Sequence, residues 1–227
     1  MQAKYRHLSI EELLGHPLND IESKYAPLQV FISGSMEIPL PGPRVSIVGS
    51  RQASSDALNR AKEIAKILVR NGVIIVSGLA RGVDTAAHMA AIENKGRTIA
   101  VLGTPLNRFY PPENSELQKL IMREHLAISQ FGFTRTTQRK DFVIRNRTMA
   151  LISDATIIIE AGEDSGALSQ GWETLRLARP LYISKEVFNK QMSWPYKMLR
   201  YGAMKLENLD ELLDELPPPG MEYKIPS

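Results

Sequence analysis

Arg44-Val-Ser-Ile-Val-Gly-Ser-Arg51 and Val73-Ile-Ile-Val-Ser-Gly-Leu-Ala-Arg-Gly-Val-Asp84 decide the fold, because the segment between them changes period. Residues 45–48 and 73–76 are unbroken apolar runs, the pattern of parallel strands covered on both faces. Residues 56–70 instead place Leu58, Ala61, Ile64, Ala65 and Leu68 at helical spacing, and Asn71-Gly72 supplies a stop. Strand, helix and strand make one βαβ unit. Outward from it, residues 98–102, 127–129, 156–159 and 181–183 read as further strands. Helical patterns lie at 85–94 (Asp84 as N-cap, Gly96 beyond its end), 115–124, 145–152 and 168–178. The alternation predicts an α/β fold, a doubly wound and mostly parallel sheet with helices on both faces.

The flanks differ. Ile38-Pro-Leu-Pro-Gly-Pro43 is a stiff connector, and Leu216-Pro-Pro-Pro-Gly220 ends the last helical stretch. The expected division is a short N-terminal extension (1–40), a main domain (41–185) and a C-terminal helical tail packed on it (186–227). The chain has 227 residues, 43% hydrophobic, enough for one substantial core. Its 28 Lys+Arg against 25 Asp+Glu give a net charge of +3, which permits a nucleic-acid partner without demanding one. Cysteine is absent, which excludes disulfides, thiolate nucleophiles and Cys-type zinc sites. No window approaches the roughly 18 apolar residues of a membrane span, and residues 1–14 lack a signal-peptide core. A cytoplasmic protein without membrane contact is expected.

In open parallel sheets ligands bind beyond the carboxyl ends of the strands, so the loops there are the candidate site. The first gives Gly49-Ser50-Arg51 with Ser54 and Ser55, and the second gives Ser77-Gly78 and Arg81-Gly82. Later loops give Gly103-Thr104 and Glu160-Ala-Gly-Glu-Asp-Ser165-Gly166. Glycines admit a close phosphate, hydroxyls and helix-start amides donate, and arginine adds charge in a forked geometry. Against this, glycines also simply make tight turns. No loop has the G-x-G-x-x-G or Walker spacing, so dinucleotide binding and P-loop hydrolysis are disfavoured, and no cofactor or metal is expected. Between residues 131 and 147, Arg135, Arg139, Lys140, Arg145 and Arg147 alternate with Phe131, Phe133 and Phe142. Cations hold a backbone and aromatic faces stack bases, as on single strands; a solvated helix face over core phenylalanines is the competing reading.

These segments resemble the DprA/SMF family. The likeness is carried by Arg44 to Arg51, Ser77 to Asp84 with His88, Thr98 to Gly103 with Tyr110-Pro111, Phe142 to Arg147, and Glu160-Ala161 with Ser165-Gly166. It implies an extended Rossmann-like fold that binds single-stranded DNA, dimerises, protects incoming strands during transformation and assists a RecA-type recombinase. Its phosphate pocket would fall on Gly49, Ser50, Arg51, Ser77, Gly78 and a cation before Phe142, either Arg139 or Lys140. Arg145 and Arg147 would line or brace it, with Ser165 and Gly166 at its side. The chain departs from the family pattern at Phe142-Val143, Pro105-Leu106-Asn107 and Ile128-Ser129-Gln130, and the winged-helix domain that many members carry is not expected here.

Other residues read as structural. His88 lies one turn after Asp84, and the preferred reading makes Asp84 a cap and His88 a buried, hydrogen-bonded residue and not a general base. Trp172 and Trp194 read as core or interface anchors. Glu160, Glu163, Asp164 and Glu173 form an acidic group of a kind that can bind a metal or act as acid and base; repulsion from phosphate favours instead that they shape specificity or face water. Two alternatives remain. Arg145, Met149, Ser153-Asp154-Ala155 and Glu173 are similar to the LOG-type nucleoside-monophosphate phosphoribohydrolases, although the Pro-Gly-Gly-x-Gly-Thr turn of those enzymes is missing. The other is a nucleotide-sensing domain of the same fold without turnover.

Overall fold

Six expected strands form the centre of one nine-stranded sheet in the computed structural model, which describes residues 5–218. Residues 1–4 of the expected extension and 219–227 of the expected tail, with Pro219 and Gly220, lie outside the described residues. The central strands are β3 (Arg44–Val48), β4 (Ile74–Ser77), β5 (Thr98–Leu102), β6 (Leu126–Ser129), β7 (Ala155–Ile158) and β8 (Leu181–Ser184). The flanks add β1 (Arg6–Leu8), β2 (Val30–Gly34) and β9 (Met204–Leu206), and the order is β1-β2-β6-β5-β4-β3-β7-β8-β9. Strands β6 to β9 in that row all pair in parallel, while β2 pairs antiparallel with both β1 and β6. The fold is therefore α/β, with a mostly parallel sheet.

The chain winds outward from β3 through β4 and β5 to β6, then returns to β7 on the other side of β3. That reversal places a topological switch point between β3 and β7, where a doubly wound sheet opens a crevice. Every residue of β3 is buried, as a doubly covered strand requires. One face is covered by α3 (Ser55–Arg70), whose Ala57, Ala61, Ile64, Ala65 and Leu68 are buried at the predicted spacing, and by α4 (Val83–Glu93). The other face carries α6 (Arg139–Leu151) and α7 (Gly166–Arg176), and α5 (Ser115–Glu124) packs beside β6.

Both flanks feed the same sheet. In the N-terminal segment, α1 (Ile10–Leu14) starts with a capping box between Ser9 and Glu12, α2 (Asp20–Tyr25) follows, and Val30 and Ile32 of β2 are buried against β6. A short segment thus needs no core of its own when it extends an existing one. Beyond β8 lie α8 (Trp194–Leu199), α9 (Asp210–Glu215) and also β9, whose three residues are too few to show a period. At the root of β3, Arg44 is buried and donates to the carbonyls of Leu40, Pro41 and Ile152, which locks the proline connector to the sheet. Among the described residues no helix is long and apolar enough to cross a membrane.

Candidate nucleic-acid interface

Two places where this fold offers backbone amides to an anion are filled by the chain's own carboxylates. In the loop after β4, Asp84 accepts from the amides of Gly78 and Ala80, each at 3.2 Å. Asp84 is therefore not the N-cap of α4, as the sequence suggested; that position is Gly82 at φ +75°, and Asp84 sits in the first turn with its carboxylate folded back. A side chain at Gly82 would strike the Ser50 and Arg51 carbonyls, so only glycine allows this turn. Burial raises the Asp84 carboxyl above its usual range, against the opposing charge of Arg145.

At the switch point Glu160 plays the same part for α3. It accepts from the Ser54 amide and hydroxyl at 3.0 Å and from the Lys190 ammonium at 2.8 Å, while its own carbonyl takes the Ser50 amide. Burial works to raise the Glu160 carboxyl, but Lys190 and the Ser54 donors outweigh it and hold it low. A negative group at a helix N-terminus is favourable whether it arrives on a ligand or on the chain. Here the chain supplies it, so the Ser54 amide at the start of α3 is already occupied by Glu160.

The expected pocket residues divide accordingly. The Ser77 hydroxyl donates to the Ile47 carbonyl inside the sheet, and the Gly78 amide belongs to Asp84. Arg145 is buried and donates to the carbonyls of Gly78 and Val101, so it braces the loops from beneath and offers no face to a phosphate. Its burial lowers the guanidinium to about 10, with Asp84 opposing. Gly49 lies against Val83 and the Glu160 carbonyl. Arg147 points away from the rim: it pairs with Glu173 at 3.4 Å and covers the Tyr25 ring, joining α2 to α6 and α7.

What remains at the rim is a basic and aromatic row. Arg51 is exposed, has no acidic partner among the described residues, and lies 5.9 Å from the centroid of the Phe142 ring. Phe142 rests on Gly103, and its other neighbour is Tyr110 at 5.4 Å between centroids. Arg139 and Lys140 are exposed in the first turn of α6 beside it. That helix begins six residues before the expected start at 145, because Asp141 accepts from the Gln138 amide and pairs with Arg135. Ser50 accepts from the Gln52 amide, and Ser165 caps α7 with exposed Gly166 following. Phe131 is buried under Arg135, whereas Phe133 packs on Tyr5 and Phe31 and remains 40% exposed, apart from the contacts that join Arg51, Phe142 and Tyr110. An open groove of about 640 Å³ runs along the 130–138 loop, lined by Gln130, Thr134, Thr136 and Gln138.

The remaining candidates are structural. His88 is buried; its Nδ1 lies 2.7 Å from Thr98 Oγ1, which itself donates to the Ile75 carbonyl, so Nδ1 carries the proton. Burial drops its pKa to about 3, and it does not pair with Asp84. Trp194 is buried, and Trp172 stacks edge-on with Tyr201. Glu173 pairs with Arg147 and Arg176 on the α6–α7 side, away from the rim. The phosphoribohydrolase arrangement, with one arginine on phosphate and this glutamate at the ribose, is therefore not assembled. No group of acidic or histidine side chains suited to a metal occurs among the described residues. The sequence did not reveal Tyr110 as part of the row, nor Asp84 and Glu160 as internal anions.

A family model described as DNA recombination-mediator protein A matches residues 11–217. The chain is 43% identical over 193 residues to DNA processing protein DprA of Streptococcus pneumoniae, covering 84% of this chain and 67% of that protein. The X-ray structure of DNA processing protein A from Streptococcus pneumoniae superposes with a TM-score of 0.79 at 30% identity, covering 94% of this chain and 75% of the other. A structure concerned with the single-stranded DNA binding mode of the Helicobacter pylori protein gives a TM-score of 0.78 at 24% identity, covering 94% and 95%. At that identity the second superposition speaks for the fold.

Proposed function

The chain belongs to the DNA recombination-mediator protein A (DprA/SMF) family, and on that premise we propose that it binds single-stranded DNA across the carboxyl rim of its sheet. The observation that carries the reading is Arg51, an exposed guanidinium with no acidic partner among the described residues, set beside the half-buried Phe142 ring. Phosphate is held by Arg51 and by Arg139 or Lys140, with Ser50, Ser165 and Gly166 at the margins, while an unpaired base reaches the aromatic face. A duplex keeps its bases stacked inside and cannot offer that face, which is the physical ground for preferring single strands. The Helicobacter pylori relative, described for its single-stranded DNA binding mode, supports the reading by likeness of fold. Closure of the amide sites by Asp84 and Glu160 speaks against a mononucleotide as the ligand.

Membership of the family supports a wider role that we include in the proposal: the protein protects incoming strands and assists a RecA-type recombinase, acting in the cytoplasm as a homodimer without catalysis of its own. Titration of labelled oligo-dT against a duplex of equal length tests the core of this. The single strand should bind more tightly, affinity should fall steeply with salt as counterions are released, and Arg51→Ala should weaken it about tenfold while flattening the salt slope by about one unit. Equal affinity for both DNAs, or an unaffected Arg51→Ala, would overturn the proposal.

A further inference from the structure

We propose that Tyr110 is a base-stacking platform of this interface, one nucleobase lying on its ring while the neighbouring phosphate is held at Arg51; the inference rests on the single-stranded DNA reading above. The loop after β5 ends in four consecutive exposed residues, Asn107, Arg108, Phe109 and Tyr110. Two adjacent large aromatics, 37% and 46% exposed, stand in water at the ligand end of the sheet. Their backbone is fixed from below. Leu106 and Pro111 are buried, the buried Gln118 side chain donates to the carbonyls of Leu106 and Arg108, and the Thr104 hydroxyl also bonds Arg108. A ring held on a rigid loop loses little freedom when a base settles on it, which favours such a position for stacking.

The surroundings match the chemistry of a nucleotide. Tyr110 touches Phe142, Phe142 touches Arg51, and on the far side Lys119 lies 5.6 Å from the Phe109 centroid. Cations therefore flank a run of aromatic faces at the rim, Arg51 at one end and Lys119 at the other, so that bases on the rings leave their phosphates within reach of a cation. The acidic groups that follow in the chain are each ion-paired, Glu113 with Arg81 and Glu116 with Lys119 at 2.7 Å, so that of the two flanking cations Arg51 is the one left without an acidic partner among the described residues. A plainer role for Tyr110, as an apolar cover for Phe142, makes a different prediction, because leucine would serve that purpose as well.

The test compares, by fluorescence anisotropy on the full chain, a labelled oligo-dT with an oligomer of equal length made of abasic residues. The native protein should prefer oligo-dT. Tyr110→Leu should lose about tenfold in affinity for oligo-dT and little for the abasic strand, so that the preference collapses, while Tyr110→Phe keeps it. The salt slope should be the same in all three, because the phosphate contacts at Arg51 remain, and matching melting temperatures establish that the variants are folded. An unchanged preference in Tyr110→Leu overturns the inference and leaves the DNA reading standing. Failure of the native protein to bind either strand overturns both.

Discussion

Replacing Gly78 with alanine separates a glycine that admits a phosphate from one that admits a side chain of the protein itself. A Cβ at this position would lie about 2.5 Å from the guanidinium carbon of Arg145, which is buried and donates to the carbonyls of Gly78 and Val101. The guanidinium would have to move. Overpacking of this kind costs about 1–3 kcal/mol, and a lost buried hydrogen bond from a charged donor costs about 1.5–3 kcal/mol more. We therefore expect Gly78→Ala to destabilise the protein by about 4 kcal/mol, which for a domain of this size is roughly 8–16 °C in melting temperature. Thermal melts and urea titrations read the stability, and oligo-dT binding is measured well below the melt. The expected result is a large stability loss, with DNA affinity reduced only modestly through the displaced loop. A variant that melts within about 2 °C of the native protein yet no longer binds DNA would refute the reasoning, because Gly78 would then be bare for the sake of a ligand.

Other outcomes follow from the same geometry. The folded-state pKa of His88 is depressed from 6.5 to about 3, so below pH 6.5 the unfolded chain takes up a proton that the native protein refuses. Its contribution to stability is complete above pH 6.5 and is lost toward pH 3, by up to about 1.4 kcal/mol per pH unit. The urea midpoint should consequently fall more steeply between pH 6.5 and 4.5 in the native protein than in His88→Gln, and parallel curves would contradict the assignment. Incubation with AMP should release no adenine, since Arg145 and Glu173 are committed elsewhere; turnover abolished by Glu173→Gln would revive the phosphoribohydrolase reading. AMP in excess should not displace bound oligo-dT, and competition at concentrations near those of the oligomer would mean that the amides held by Asp84 and Glu160 are released to a ligand.

The parallel core was legible because doubly covered strands leave unbroken apolar runs, and because α3 has both a clear stripe of small and aliphatic residues and a stop at Asn71-Gly72. The strands at the two edges were not. Met204–Leu206 is too short to show a period, and Val30–Gly34 sits in a segment whose apolar residues join the main core through β6 and the helices around it. The location of the site was legible in the loops, but its composition was not. Whether Asp84 caps a helix or turns back onto the Gly78 and Ala80 amides depends on the left-handed turn at Gly82, and whether Glu160 faces water depends on Ser54 and Lys190, which sequence places far away. The run from 131 to 147 shows the same limit. Its cations looked equivalent, yet α6 turns Arg145 inward, Arg147 toward Glu173, and only Arg139 and Lys140 to the rim.

Ultraviolet cross-linking of oligo-dT to the native protein, with the modified peptides mapped by mass spectrometry, tests most directly where the strand lies. Cross-links concentrated on the peptides that carry residues 103–112 and the first turn of α6, and lost when Arg51 is replaced by alanine, are the predicted result. Cross-links confined to the tail beyond β8, with the rim peptides unmodified, would contradict it.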